Sequence, residues 1–268
     1  MKEVIQSSSN KTLKHIKALR MKKYRDEQSS FVIEGEKLVL EAMEYKAGIS
    51  MVLCSQSFAM TGSHDKIVNS AAASAIPVYY AEDRLFKDVC ETESPQGIIA
   101  VAVKPEYRLA DILDRAELCL VLLNEIRDPG NAGTIIRTAD ACGLDAVLLS
   151  SGSVDLYNGK TIRSTMGSLF HIPVLQGLDA ASAIEELKKR EIVTIGADPH
   201  SDISCIAVPY YKKSAIIVGN ESQGISSEIK GLLDTSVKIP MPGRAESLNA
   251  GIAASIMMYE FSVRKKHV

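Results

Sequence analysis

The sequence lacks several features that would place it in a common class of protein. It contains no tryptophan, and aromatic residues make up 5% of its 268 residues. Platforms that stack long single-stranded nucleic acid are built from such side chains, so that kind of binding is not predicted. No apolar stretch approaches the roughly 20 residues that a membrane-spanning helix requires. The first residues, MKEVIQSSSNKTLK, lack the apolar core of a secretory signal. We therefore expect a cytoplasmic protein without membrane contact.

Disulfides and metal ligands are not predicted either. The five cysteines, an odd number, are scattered without a CxxC pair, which gives no support for a disulfide framework. None of the five histidines stands near a cysteine or a carboxylate at a metal-ligand spacing such as HExxH. We expect reduced core thiols and no metal ion.

The glycine patterns of the common nucleotide-binding folds are also missing. ATP- and NAD-binding sheets bind phosphate with GxxxxGK[ST], or with GxGxxG after a first strand, and neither pattern occurs here. A nucleotide-dependent enzyme of the ordinary doubly wound type remains an alternative, but the missing glycine pattern counts against it.

The sequence does contain a regular alternation of apolar strands and amphipathic helices. Residues 1–105 predict a small α/β domain. Residues 106–115 are polar and mixed in charge, and we interpret them as a linker. Over residues 116–268 the alternation resumes with strands such as LCLVLL. Apolar runs of this kind are typical of a mostly parallel sheet with helices on both faces.

Basic residues dominate the first 25 positions, although the net charge of the chain is -2. Leu13, Ile16 and Leu19 recur at helical spacing and predict an apolar stripe that packs inward. The basic residues are expected to project from this helix. They form either a solvated face or a surface that contacts nucleic-acid phosphates.

Polar residues and glycines follow three predicted strands of the second domain. In DPGNAG, after the first strand, Asn131 is the predicted helix N-cap, and Arg137 lies further along that helix. IIVGNESQG brings Gly219 and Glu221 to the end of a second strand. Ligands of parallel sheets bind at the carboxyl ends of strands, so these segments predict one site.

The third strand end leads into the last helix of the chain. SVKIPM is followed by a Pro-Gly turn and then by SLNAG, where capping of the last helix is compatible with both Ser247 and Asn249 and is expected in part of Ser247. Ile252, Ile256 and Tyr259 recur at helical spacing and are predicted to face the core.

Three segments resemble, in order and spacing, the motifs of the SpoU (TrmH-like) RNA ribose 2'-O-methyltransferases: NEIRDPGNAGTIIRTAD, IVGNESQGIS and KIPMPGRAESLNAGIAASIMMYE. NKTLKHIKALRMKKYR, FVIEGEKLVLEA and SPQGIIAV are similar to the L30e-like substrate-binding domain that precedes the catalytic domain in many members. The resemblance implies an α/β fold with an L30e-like RNA-binding domain over residues 1–105. It also implies a methyltransferase domain with a deep trefoil knot over residues 116–268.

The resemblance also implies the site and its cofactor, S-adenosyl-L-methionine. The implied catalytic residues are Arg137, Asn131, Glu221, Ser247 and Asn249. The implied cofactor-binding residues are Gly219, Ile239, Met241 and Leu248, with Gly219 leaving space for the adenine ring. A guanidinium is a poor general base, so Arg137 is expected to hold a phosphate of the target by a bidentate contact. In this setting, the expected RNA contacts are Lys17, Arg20, Lys23 and Arg25.

RNA is the expected partner, and structured 23S ribosomal RNA is favoured over tRNA. Family members typically form homodimers through the knotted domain, and Met257 and Met258 of the last helix are candidates for the interface. Two alternatives stay open on the same fold. One is a tRNA 2'-O-methyltransferase, and the other is a non-catalytic RNA-binding protein of ribosome assembly. The sequence does not identify the modified nucleotide.

Overall fold

The computed structural model describes residues 4–265, which form two compact units. One unit contains the chain up to Glu106 together with Tyr157–Arg163, and the other contains Tyr107–Leu156 and the chain from Ser164 onward. The ring of Tyr157 packs on Phe31 of the first unit, with ring centroids 4.7 Å apart. The sequence pattern did not indicate that Tyr157–Arg163 belongs to the first unit.

The first unit is a five-stranded sheet covered by helices. Its strands are β1 (Val4–Ile5), β2 (Ser30–Glu34), β3 (Ile49–Ser55), β4 (Val78–Ala81) and β5 (Ile98–Val103). Its helices are α1 (Lys11–Ala18), α2 (Lys22–Glu27), α3 (Glu36–Glu44), α4 (Gly62–Ala73) and α5 (Asp83–Val89). The strand order is β1-β4-β3-β5-β2, with β5 antiparallel to both of its neighbours. The predicted stripe of Leu13, Ile16 and Leu19 is confirmed, because all three side chains are buried in the core of this unit.

The basic residues near α1 and α2 divide into two groups. Lys17 and Lys23 are exposed, as predicted. Arg20 is partly buried and donates a hydrogen bond to the carbonyl oxygen of Cys90. Arg25 is buried, and its Nη1 donates to the carbonyl oxygens of Leu19 at 2.8 Å and Arg20 at 2.6 Å. The expectation that Arg20 and Arg25 contact RNA is therefore corrected, because both guanidinium groups bind the protein's own main chain.

The second unit contains a six-stranded sheet in which every strand pair is parallel. Its strands are β6 (Leu118–Leu123), β7 (Ala146–Ser150), β8 (Val174–Leu178), β9 (Val193–Ala197), β10 (Lys213–Val218) and β11 (Thr235–Val237). The helices that follow α5 in the chain are α6 (Leu109–Leu113), α7 (Pro129–Cys142), α8 (Gly159–Ser164), α9 (Ala180–Lys189), α10 (Ser227–Leu232) and α11 (Ala250–Lys265). Of these, α8 belongs to the first unit except for its last residue. The strand order is β11-β9-β10-β6-β7-β8.

Helices cover the sheet of the second unit on both faces. On one face, Leu118, Leu120 and Leu122 of β6 share a core with Ile184 and Leu187 of α9. Helices α7 and α11 pack against each other and against β7 and β10. The predicted α/β class, with a parallel sheet and flanking helices, is confirmed. Among residues 4–265, no helix combines the length and apolar character that crossing a bilayer would require.

The interpretation of residues 106–115 as a linker is corrected. This stretch contains α6, and Ile112 and Leu113 of α6 are buried in the core of the second unit. The surrounding residues are mixed in charge, and composition is judged over a window of several positions. A short apolar helix such as α6 is therefore missed.

The last helix buries a different face from the one predicted. Ile252, Ile256 and Tyr259 are 49%, 39% and 63% exposed, whereas Met257 and Met258 are fully buried. The helix carries apolar residues around much of its circumference, so periodicity alone did not identify the face that packs on the sheet. Because Met257 and Met258 are fully buried within the single chain, the suggestion that they form a subunit interface is wrong.

We predict that Arg25→Met destabilises the protein without acting through RNA. The substitution removes two hydrogen bonds from a charged donor and leaves buried carbonyl groups unpaired. We expect the free energy of unfolding in urea to fall by about 2–3 kcal/mol. The control is Lys22→Met on the exposed side of α2, which we expect to change it by less than about 0.5 kcal/mol. Equal effects of the two substitutions would contradict a structural role for Arg25.

Candidate functional site

A cavity of about 320 Å³ lies at the carboxyl ends of β9, β10 and β11. Its wall is built from the segments that follow these strands and from the first turns of α11. Pockets of this size are typical of small-molecule and cofactor sites. The predicted site residues that line it are Gly219, Glu221, Ile239, Met241, Ser247 and Leu248. Residues from three separate segments thus meet at one end of the parallel sheet.

Asn131 and Glu221 are joined directly. The side-chain nitrogen of Asn131, which is buried, donates to Oε1 of Glu221 at 2.8 Å. The main-chain nitrogen of Asp128 is 3.4 Å from the same oxygen. These contacts hold the turn after β10 against the start of α7. Asp128, rather than the predicted Asn131, caps α7, because its Oδ1 accepts from the main-chain nitrogen of Asn131 at 2.8 Å.

Asn249 caps the last helix. Its Oδ1 accepts hydrogen bonds from the main-chain nitrogens of Gly251 at 2.9 Å and Ile252 at 3.2 Å. The expected contribution of Ser247 to the cap is therefore corrected, and Ser247 is an exposed residue of the cavity wall. A Cβ atom at Gly251 would lie 3.2 Å from Oδ1 of Asn131. Glycine at this position therefore lets the start of α11 approach Asn131 closely.

Arg137 lies apart from this cluster. It is exposed on α7 and is not among the residues that line the cavity. Its neighbour Thr138 is hydrogen-bonded to Ser255 of α11, with hydroxyl oxygens 3.0 Å apart. Helix α7 therefore lies against α11, on which Ile252 and Ile256 are exposed.

Gly219 lines the cavity, and the turn around it gives a reason for glycine that was not predicted. A Cβ atom at Gly219 would lie closer than 3.0 Å to the main chain of Gly224 and Ile225. The turn folds back here, and the nitrogen of Gly224 donates to the oxygen of Asn220 at 2.8 Å. The missing side chain thus makes room for the protein's own turn, while the predicted role of Gly219 beside an adenine ring stays a prediction.

Three titratable residues of the cavity wall were not predicted: Asp198, His200 and Lys230. Nζ of Lys230 is 2.6 Å from Oδ2 of Asp198, and the main-chain nitrogen of His200 donates to Oδ1 of Asp198 at 3.1 Å. Burial alone would raise the pKa of Asp198, but the hydrogen bonds from Lys230 and His200 outweigh it and lower that pKa. The available signal was the polar stretch DPH, which directly follows β9, because polar residues at strand ends had already marked the other segments of the site.

Comparisons with known proteins identify the family. Residues 118–259 match the SpoU rRNA Methylase family, and residues 10–100 match the MRM3-like substrate binding domain. The 23S rRNA (guanosine(2553)-2'-O)-methyltransferase RlmP of Bacillus subtilis is 37% identical over 255 residues, which cover 95% of this chain and 97% of that protein. The chain belongs to the SpoU rRNA methylase family, which confirms the resemblance of its motifs.

Solved structures agree with this assignment. An S-adenosylmethionine-bound rRNA methyltransferase from Sinorhizobium meliloti superimposes with a TM-score of 0.85 at 29% identity and covers 98% of both chains. The SpoU methyltransferase AviRb from Streptomyces viridochromogenes, in complex with the same cofactor, has a TM-score of 0.85 at 26% identity. That match covers 97% of this chain and 100% of AviRb.

We predict that Gly219→Ala disrupts the turn after β10. The new methyl group would overlap the main chain of Gly224 and Ile225, which cannot move as a flexible side chain would. We expect the free energy of unfolding to fall by about 1–3 kcal/mol, the range for overpacking. Gly243→Ala is the control, because a Cβ atom there would meet no atom within 4 Å. A stable Gly219→Ala protein would show that the turn adopts another conformation.

Proposed function

We propose that the chain is an S-adenosylmethionine-dependent methyltransferase that acts on the ribose 2'-hydroxyl of 23S ribosomal RNA. The cavity at the strand ends carries this proposal. It gathers the four predicted cofactor-binding residues, together with Glu221 and Ser247, from segments that are far apart in sequence. The family membership supports the reaction, and the name of the Bacillus subtilis relative supports the substrate. We assign RNA binding to the first unit and methyl transfer to the second.

The residues of the cavity fit this cofactor. Val218, Ile239 and Met257 provide an apolar wall suited to an adenine ring, and polar side chains lie on the turns around them. When bound, S-adenosylmethionine supplies an electrophilic methyl group on its sulfonium sulfur. The protein's own task is to align the ribose hydroxyl with that group and to let the hydroxyl lose its proton.

The hydrogen bonds of the site suggest how this task is divided. Oε1 of Glu221 already accepts from Asn131, so we assign both residues to holding the turn after β10 against α7. Ser247 is exposed at the cavity wall and is placed to meet an incoming ribose. We assign Arg137 to holding a phosphate of the target RNA, with a phosphate oxygen or water taking the proton.

We also propose a homodimer formed through α7 and α11. Ile252, Ile256 and Tyr259 form an exposed apolar stripe on α11, next to the helix that carries Arg137. A second copy seated on this stripe would remove the apolar surface from water. It would also bring Arg137, which does not line the cavity of its own chain, to the cavity of the partner. A homodimer therefore supplies the predicted catalytic arginine that a single chain leaves outside its site.

The RNA-binding surface is revised to lysines. Lys11, Lys14 and Lys17 are exposed at three-residue intervals along α1, and Lys22 and Lys23 are exposed on α2. We propose that these side chains contact RNA phosphates. Such electrostatic contacts add binding affinity, weaken as the salt concentration rises and carry little information about the RNA sequence.

Two further features belong to the proposal. A deep trefoil knot at the cavity is supported by the family resemblance, and a cytoplasmic location is supported by relatives named for ribosomal RNA. A tRNA substrate remains the second candidate, because other relatives carry names that include both tRNA and rRNA.

The proposed reaction predicts that Ala253→Phe abolishes methyl transfer to unmodified 23S ribosomal RNA. Ala253 lies on α11 and lines the cavity, so a phenyl ring would fill it without forcing a turn apart. We expect calorimetric titration to show S-adenosylmethionine binding to the unmodified protein and none to the variant. Ala72→Phe, on an exposed position of α4, is the matched control and should keep both binding and activity.

Three other outcomes would change the conclusion. Transfer to tRNA but not to 23S ribosomal RNA would favour the second substrate. RNA binding without cofactor binding would favour the non-catalytic assembly protein. Cofactor binding retained in Ala253→Phe would place the cofactor elsewhere.

The proposed dimer predicts that two inactive variants restore activity together. Arg137→Ala lacks the arginine, and Ala253→Phe lacks the cavity. A mixed dimer would combine one intact cavity with an arginine from the partner. With random pairing of co-expressed chains, half of the dimers are mixed and each has one working site, so we expect about a quarter of the activity of the unmodified protein. Activity no greater than that of the separate variants would show that Arg137 serves its own chain or that no dimer forms.

A further inference from the structure

The ion pair between Asp198 and Lys230 stands in the cavity wall rather than on an open surface. The two side chains are 12% and 37% exposed, and Nζ to Oδ2 is 2.6 Å. Asp198 directly follows β9, and Lys230 lies on α10, so the pair joins two segments that are far apart in sequence. Both residues line the same cavity as the predicted cofactor-binding residues.

The pair differs in charge from the rest of the cavity. Among the described residues of the wall, Lys230 is the one lysine or arginine, and the carboxylates are Asp198 and Glu221. Glu221 accepts a hydrogen bond from Asn131. Asp198 and Lys230 therefore place a negative and a positive charge side by side, and this arrangement is complementary to a zwitterion.

The sheet topology separates this pair from the Asn131 end of the site. Strand β10 lies between β9 and β6, and Asp198 follows β9 while Asn131 lies after β6. Neighbouring strands are about 4.8 Å apart, so the two strand ends are separated by about 10 Å. A cofactor with chemically distinct ends can therefore meet the charged pair at one end and the Asn131–Glu221 pair at the other.

A purely structural role accounts poorly for Lys230. Partly exposed ion pairs contribute little to stability, since solvent screens them and the side chains lose freedom. Asp198 has a separate structural contact, because its other oxygen accepts from the main chain of His200 at 3.1 Å. Lys230 is thus the partner whose removal tests ligand binding most directly.

We propose that Lys230 and Asp198 bind the α-amino acid group of the cofactor, with Lys230 facing its carboxylate and Asp198 its ammonium. This inference rests on the proposed methyltransferase function and deepens it. It names a positioning pair that the motifs of the sequence did not indicate. The rest of the cofactor, an adenosine, is left to the apolar wall and the turns after β10 and β11.

The test compares two ligands that differ in this group. S-adenosylhomocysteine keeps the amino acid end, and 5'-methylthioadenosine lacks it. We expect Lys230→Met to weaken calorimetric binding of S-adenosylhomocysteine about tenfold, the size of one charge-assisted hydrogen bond. Binding of 5'-methylthioadenosine should change less than about twofold, because its adenosine part does not reach the pair. Lys230→Arg keeps the charge and should recover most of the lost affinity.

Lys188→Met is the matched control. Lys188 forms an ion pair of 3.3 Å with Asp234, its side chain is 43% exposed, and it does not line the cavity. It should leave the affinity for both ligands unchanged. The shift of the thermal unfolding midpoint by each ligand gives an independent measure of the same affinities.

The outcomes separate this inference from the proposed function. If the unmodified protein binds neither ligand, the proposed function fails and the inference fails with it. If the unmodified protein binds S-adenosylhomocysteine and Lys230→Met weakens both ligands equally, the function stands and the inference is overturned. A loss confined to S-adenosylhomocysteine supports both.

Discussion

The parallel pairing of β10 between β9 and β6 is the constraint on which the site depends. Parallel strands all end at the same edge of a sheet, so the segments that leave β6, β9 and β10 emerge side by side. The cavity forms at this edge, and its polar residues come from separate segments of the chain. The buried apolar strands that hold this geometry carry no chemistry themselves. They determine where the polar side chains of the cavity meet.

Several residues that the family motifs mark as functional also have structural tasks. Asn249 caps α11, Asn131 holds Glu221, and Gly219 makes room for the turn that folds over it. Each of these contacts holds one segment of the main chain close to another. A cofactor site formed largely by turns requires such close approach of its segments. Positioning and chemistry are therefore difficult to separate by substitution of these residues alone. Ala253 is a better probe, because its side chain lines the cavity and its substitution forces no turn apart.

In the proposed function, RNA binding by the first unit and methyl transfer by the second depend on different kinds of surface. The first unit offers lysines on the exposed side of α1 and α2, while its arginines near the same helices bind the protein's own carbonyl groups. Lysine is suited to a solvated phosphate-binding surface, and the planar guanidinium is suited to buried contacts with several acceptors. The second unit offers a shaped cavity. The net charge of -2 does not reveal the basic surface of the first unit, because acidic residues elsewhere in the chain balance the basic helices.

The sequence by itself determined the alternation of strands and helices, the parallel sheet, the three strand-end segments and the family. These features depend on local periodicity and on residues close together along the chain. Tertiary structure alone decided which face of α11 is buried, that Arg20 and Arg25 turn inward, that α6 joins the core, and that Asp198 meets Lys230. Each of these depends on a partner distant in sequence or on competition between two apolar faces. A helix with apolar residues on both sides buries the one that fits its neighbours, and only the packed structure contains that information.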